Sequence, residues 1–386
     1  MILKTDCKHF PGDKPCKPNK LENKKCDDCE YYSPINFKIL IIKLDAVGDV
    51  LRTTSILHAL KSKYPESHVT WLTKKSAKDI FLNSTFVDNV LTFESYDLIS
   101  RLSIETFDLL IHPDASPFST SLATLAKAKV KKGFVLNHLG QVIPVDKDAI
   151  EWLEMGAFDE FKKKNKKTYQ QIIHEIAGLD YGKGEIIVNL TNDEIRFKNE
   201  FYSHHNLSRF KIIIGMNTGT SKRWQLKQWR FEGFKELISM LQKHKDVGIL
   251  LFGGGDEEDR NSELKNLFPA LVDTGSKNSL RQFFALMDIP DIILTGDTLA
   301  LHTATALKKK IICFFGPTSS AEIEDYGRIK KISPEMDCLV CYKPECDFNP
   351  NCMELISSDM IYEAIISEIN KKKFSLPNRR HQARRD

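Results

Sequence analysis

The feature that most restricts the fold is a rhythm of short, unbroken apolar runs recurring at helix-length intervals. The run 39–44 (Ile-Leu-Ile-Ile-Lys-Leu) precedes a helical pattern over about 50–63, and further runs follow at 69–73, 87–93, 107–111 and 132–136. Strands buried on both faces read this way, and strands alternating with helices run parallel, so this half predicts one doubly wound domain. A second series starts at 210–216 and continues at 247–252, 291–294 and 310–315. Residues 151–178 read as mainly helical and 191–208 as a polar linker between the halves. Two similar α/β halves imply a cleft between them.

The 386 residues exceed what one hydrophobic core usually supports, which also argues for two domains. No apolar run approaches the ~20 residues that cross a bilayer. The first six residues lack the apolar centre of a secretory signal, and a cytoplasmic location is expected. A net charge of +4 is too small to argue for nucleic acid. Local basic runs at 161–167 and 378–385 suit an anionic partner or the negative inner leaflet, a peripheral contact with the inner membrane.

The nine cysteines are uneven: Cys7, Cys16, Cys26 and Cys29 near one end, Cys338, Cys341, Cys346 and Cys352 near the other, and Cys313 alone in an apolar strand. Without a secretory leader, clustered thiols point to metal more than to disulfides. Cys26–Cys29 and Cys338–Cys341 each have the spacing of a zinc knuckle, which Cys7, Cys16, Cys346 and Cys352 could complete; free or paired thiols are the alternative. The expected organisation is a Cys-rich extension over 1–35, a first α/β domain over 36–200, a second α/β domain over 201–355, and a C-terminal helix with a basic tail over 356–386.

The chemistry gathers where strands run into loops, since ligands of open α/β sheets sit outside the carboxyl ends of the strands. After 39–44 comes Gly48-Asp49, where Asp49 either caps the next helix or works in the site. After 210–216 come Thr218, Gly219, Thr220 and Lys222, small residues that admit an anion and a cation to meet it. The glycines around Gly254 precede Asp256 and Glu257, acids suited to ribose hydroxyls or to the helix dipole. Asp297 and Thr298 open a helix whose first N–H groups, at Thr298, Leu299 and Ala300, form a phosphate site; His302 follows one turn on, in the core or on the ligand.

Together the stretches "ILIIKLDAVGDVLRTTSILHALKSKYP", "NTGTSKRW", "LLFGGGDEE" and "GDTLALHTATALKKKIICFFGPT" resemble glycosyltransferase family 9, the lipopolysaccharide heptosyltransferases, in order and spacing across both halves. The resemblance implies a GT-B fold: two Rossmann-like domains, the donor held mainly by the second and the acceptor by the first. It also implies inverting transfer without a catalytic cofactor, leaving zinc only a structural role. By motif, Asp49 looks like the catalytic base, Lys222 the diphosphate-stabilising cation, Asp256 or the adjacent Glu257 the ribose acid, and Asp297 the donor-sugar contact. Thr218 and Thr298 look like phosphate positions, and Arg52 is a candidate acceptor contact with Lys74, Lys75 and Lys162 to Lys164. Leu299 departs from the small or Gly residue that often follows Asp-Thr in the family. The expected reaction moves a sugar, a heptose from an ADP-linked donor, to a lipopolysaccharide or other lipid-linked or glycan acceptor. The alternatives are a nucleotide-sugar epimerase of similar fold and a non-catalytic nucleotide-binding or zinc-organised interaction protein.

Overall fold

The structure, a computed structural model, describes residues 2–220 and 222–375, with 222, 223 and 372–375 described by backbone alone. The basic run at 378–385 lies outside the described residues. The chain divides into two compact units, Met1–Gly156 with Gln171–Gly184, and Ala157–Gln170 with Glu185–Asp386.

The first unit holds β1 (Phe37–Ile42), β2 (Ser67–Thr73), β3 (Asn89–Thr92), β4 (Thr106–His112), β5 (Lys127–Leu136) and β6 (Val142–Pro144). They lie in the order β3-β2-β1-β4-β5-β6, parallel except for the antiparallel β5–β6 pair. The chain enters at the centre, winds outward to β3, then returns to place β4 on the other side of β1. That reversal separates the loops after β1 and β4 and makes a crevice at their carboxyl ends. Ile39, Leu40, Ile41 and Ile42 are fully buried, as an unbroken apolar central strand should be. Beside the end of β4, Gly133 has φ +96° and a Cβ there would lie 1.9 Å from the His112 carbonyl oxygen, so only glycine fits.

The second unit repeats the plan with β7 (Ile212–Asn217), β8 (Val247–Phe252), β9 (Val272–Asp273), β10 (Ile292–Gly296), β11 (Lys310–Phe314) and β12 (Ile329–Ile332). The order is β12-β11-β10-β7-β8-β9 and every pair is parallel. Here the reversal lies between β7 and β10. Along β7, Ile212, Ile214 and Met216 enter one apolar cluster and Ile213 another, because successive side chains point to opposite faces.

Three local expectations give way. The helical run after β1 is two helices, Val47–Thr53 and Ile56–Lys63. At the break the Thr54 hydroxyl donates to the Leu51 carbonyl at 2.7 Å, and the Thr53 hydroxyl to that of Asp49 at 2.6 Å, the local back-bonding that weakens helices. The stretch 191–208 is not a linker: Asn192–His204 is a helix with a Thr191/Glu194 capping box. Its Glu194 pairs with Arg281 at 2.6 Å on helix Leu280–Met287, with both side chains largely buried. Residues from Glu185 onward therefore belong to the second unit, ahead of the boundary expected at 200. Among the described residues no helix is long and apolar enough to cross a membrane.

Candidate functional site

At the carboxyl edge of the first sheet, charged side chains meet in pairs. Asp49 is not the helix cap; Ala46 holds that position, and Asp49 lies in the first turn of Val47–Thr53. Its Oδ1 lies 2.8 Å from Arg52 Nη2, one turn on; 13% of the Arg52 side chain and 35% of the Asp49 side chain are exposed. The guanidinium favours the ionised carboxylate, while the exposure leaves room for a hydroxyl to approach it. Directly after β1, Lys43 Nζ meets Asp114 Oδ2, which follows β4, at 3.1 Å, with the pair nearly buried. Lys74 pairs with Asp45 at 2.6 Å. Beneath them His112, fully buried, shares its two ring nitrogens between the Phe134 carbonyl at 3.0 Å and the Ser119 hydroxyl at 2.9 Å. Burial pushes the His112 pKa down to about 4, so at neutral pH it is an uncharged support.

The carboxyl edge of the second sheet is built from hydroxyls, an amide and backbone. Thr298 is the N-cap of helix Leu299–Ala306, accepting from Ala300 N at 3.2 Å and sharing a hydrogen bond with the Thr295 hydroxyl at 3.1 Å. The Asn217 amide donates to the Gly219 carbonyl at 2.9 Å and toward Thr298 Oγ1 at 3.4 Å, tying the loops after β7 and β10 together. Lys227 adds a second tie: Nζ lies 2.9 Å from Asp297 Oδ2 and over the Trp224 ring at 5.1 Å, with Lys227 and Asp297 both largely buried.

Several expected contacts are already spent inside the fold. Thr218 is buried and its hydroxyl donates to Asn261 Oδ1 at 2.5 Å, so the side chain points into the core. The Thr220 hydroxyl donates to the Trp224 carbonyl at 2.9 Å. Glu257 accepts from Gly254 N at 2.7 Å, and a Cβ on Gly219 would lie 2.2 Å from its side chain. Glu257 thus braces two loops, while Asp256 is the exposed acid of the pair. His302 is buried within its helix, and Leu299 is half-buried. The side chain of Lys222 lies outside the described residues.

Sequence reasoning missed Lys43, Asp114, Lys227 and Arg260. A lysine closing the apolar run 39–44 was the available signal for the first pair. Arg260 donates to the Thr218 carbonyl at 3.0 Å and the Trp229 carbonyl at 3.4 Å, holding the loop after β7 from beneath; no local pattern announces it.

Cys7, Cys16, Cys26 and Cys29 line one small cavity in the N-terminal segment. Cys352 is half-buried against Gly316; burial, then nearby Cys341, Cys346 and Cys338, push its thiol up to about 11. All nine cysteines are free, and among the described residues no group of three or more His, Cys, Asp or Glu side chains is placed to hold a metal ion.

The profile of glycosyltransferase family 9 (heptosyltransferase) matches residues 96–351. Lipopolysaccharide core heptosyltransferase OpsX of Haemophilus influenzae is 21% identical over 76% of this chain and 83% of its own length. Among solved structures, a family 9 glycosyl transferase from Veillonella parvula superimposes with a TM-score of 0.69 at 17% identity, covering 87% of this chain and 98% of that one. ADP-heptose lps heptosyltransferase II of E. coli gives 0.62 at 16%, covering 87% and 100%. These likenesses establish the fold, which is GT-B, and the profile spans about two thirds of the sequence. The chain belongs to glycosyltransferase family 9, the heptosyltransferases.

Proposed function

We propose that this protein transfers a heptose from an ADP-linked donor to a lipopolysaccharide core acceptor, with inversion and with Asp49 as the general base. The observation that carries this reading is the Asp49–Arg52 pair at the switch point of the first sheet. An acceptor hydroxyl is too weakly acidic to attack unaided; a carboxylate held ionised and partly open takes its proton as the new bond forms. Arg52 makes Asp49 a weaker base, which is tolerable because the hydroxyl becomes acidic only as it attacks.

The second unit holds the donor. Departing diphosphate gains charge, and the first N–H groups of helix Leu299–Ala306, with Lys222 by motif, oppose that charge without a metal. Asp297, fixed by Lys227, accepts hydrogen bonds from sugar hydroxyls, and Asp256 meets the ribose. The family membership and the relatives named lipopolysaccharide heptosyltransferases support the acceptor class. Such an acceptor is lipid-linked, so the enzyme works at the cytoplasmic face of the membrane, where Lys163 and Lys164 on helix Asp159–Lys164 and the basic run at 378–385 meet anionic headgroups.

Incubating the protein with ADP-heptose, other nucleotide sugars and a heptose-deficient lipopolysaccharide core tests this. Transfer from ADP-heptose is expected. Isomerisation of the donor alone would favour an epimerase, and nucleotide binding without donor consumption a non-catalytic binder.

A further inference from the structure

Residues 2–36 are folded without a core. Only Pro18 among them is buried; Ile2, Leu3 and Leu21 are about half or more exposed. The segment nevertheless has defined backbone: Lys8 N donates to the Ser33 carbonyl at 2.9 Å, Ile35 N to that of Asp6 at 2.8 Å, and Cys16 precedes helix Lys17–Glu22. Polar contacts decorate its outside, including Tyr32 OH to Asp6 at 2.7 Å and Lys24 to Glu30 at 2.5 Å. A segment this short and this poor in buried apolar surface needs a covalent or metal staple. It has no disulfide, since all four of its cysteines are free.

What stands at its centre instead is a cavity of about 30 Å³ lined by Cys7, Cys16, Cys26, Cys29, Phe10 and Pro18. Three separate turns deliver the thiols: Phe10 N bonds back to the Cys7 carbonyl, Cys16 opens the helix, and Tyr32 N bonds back to the Cys29 carbonyl just after the Cys26–Cys29 pair. Four thiols from three turns lining one small cavity are the ligand type and number that a closed tetrahedral site uses. We infer that Cys7, Cys16, Cys26 and Cys29 bind one zinc-class divalent ion that holds the N-terminal segment in its fold.

Among the described residues no three such side chains are placed to hold an ion, so the proposed binding requires the cysteine side chains to rearrange around it. Binding converts four thiols to thiolates and releases four protons, leaving a doubly negative centre. Lys4, which also lines the cavity and lies 4.0 Å over the Tyr32 ring, offsets that charge.

Metal content of the full chain, purified reduced from zinc-supplemented cells, is compared with that of Cys26→Ser/Cys29→Ser. The double variant is expected to carry one metal ion fewer per chain, whatever the C-terminal cysteines hold. Cobalt added to the metal-stripped wild type is expected to give the visible bands of a tetrahedral thiolate, reduced in the variant. Trypsin, with Lys20, Lys24 and Lys25 to attack, is expected to remove the segment faster from the variant while the rest of the chain survives. Equal metal in both proteins, or a wild type that takes up neither zinc nor cobalt, overturns the inference. None of these readouts depends on sugar transfer.

Discussion

The two sheets share one strand order, yet their carboxyl edges are made of different chemistry. The first edge is a set of ion pairs, Asp49–Arg52, Lys43–Asp114 and Lys74–Asp45. The second is a hydroxyl and amide network, Thr295, Thr298 and Asn217, with one ion pair, Lys227–Asp297. Paired charges with carboxylates left partly open at Asp49 and Asp45 suit proton removal from a polar acceptor. Hydroxyls, backbone N–H groups and a braced acid suit the holding of phosphates and sugar hydroxyls. A common scaffold thus supports division of labour, because function lies in the loops and not in the strand order.

That division can be broken by mutation. The largest effect is expected at Asp49: Asp49→Asn should lower turnover by about 10²–10⁴-fold with nucleotide affinity unchanged, read from initial rates and calorimetric ADP titration. A variant that loses both equally would erase the contrast between the edges.

Lys43→Met strands the nearly buried Asp114 and should destabilise the first unit by about 3 kcal/mol in urea unfolding. Lys43→Met with Asp114→Leu should recover much of that loss, since an apolar pair replaces the charges.

His112 supports the same edge through pH. Its folded pKa of about 4 lies below the 6.5 of the unfolded chain, so only the unfolded state gains the proton between those values. Its contribution is full above pH 6.5 and lost as pH falls toward 4, about 3 kcal/mol in total at 1.36 kcal/mol per unit. His112→Gln should flatten that part of the stability profile; an unchanged slope would assign the acid sensitivity elsewhere.

The smallest effect is expected on the second edge. Lys227→Met removes the Lys227–Asp297 ion pair and should weaken binding of the intact nucleotide sugar by about tenfold, the loss of one charged hydrogen bond, while ADP binds as before. Lys227→Arg should restore part of it. A turnover defect of the size seen at Asp49 would place Lys227 in the chemistry.

Most strands were legible as short apolar runs, and 247–252 coincides with β8 to the residue; the short β6 and β9 and the Lys-bearing β12 were not. The placement of Asp49, Asp297 and Thr298 at strand-to-helix exits was legible, and ligands of such sheets sit at that edge. What the chain order hides is which polar groups are consumed by distant partners. Thr218 looked like a phosphate contact until Asn261, 43 residues on, took its hydroxyl, and Glu257 looked like a ribose acid until it proved to brace Gly254. Helix Asn192–His204 was hidden because its sequence is mostly polar, and its hold on the second unit comes through Phe197, Phe201 and Tyr202 against the core and through Arg281, 87 residues away from Glu194.

The division of the chain carries a topological consequence. The backbone passes between the units three times, after 156, after 170 and after 184. Ile172 and Ile176 complete the cluster around Phe134 and Met155 in the first unit, while 157–170 belongs to the second. No single cut therefore yields two complete halves. A fragment ending at 156 leaves part of its core behind, and one ending at 184 carries a strand of its neighbour's chain with it, so the units are stitched as well as joined.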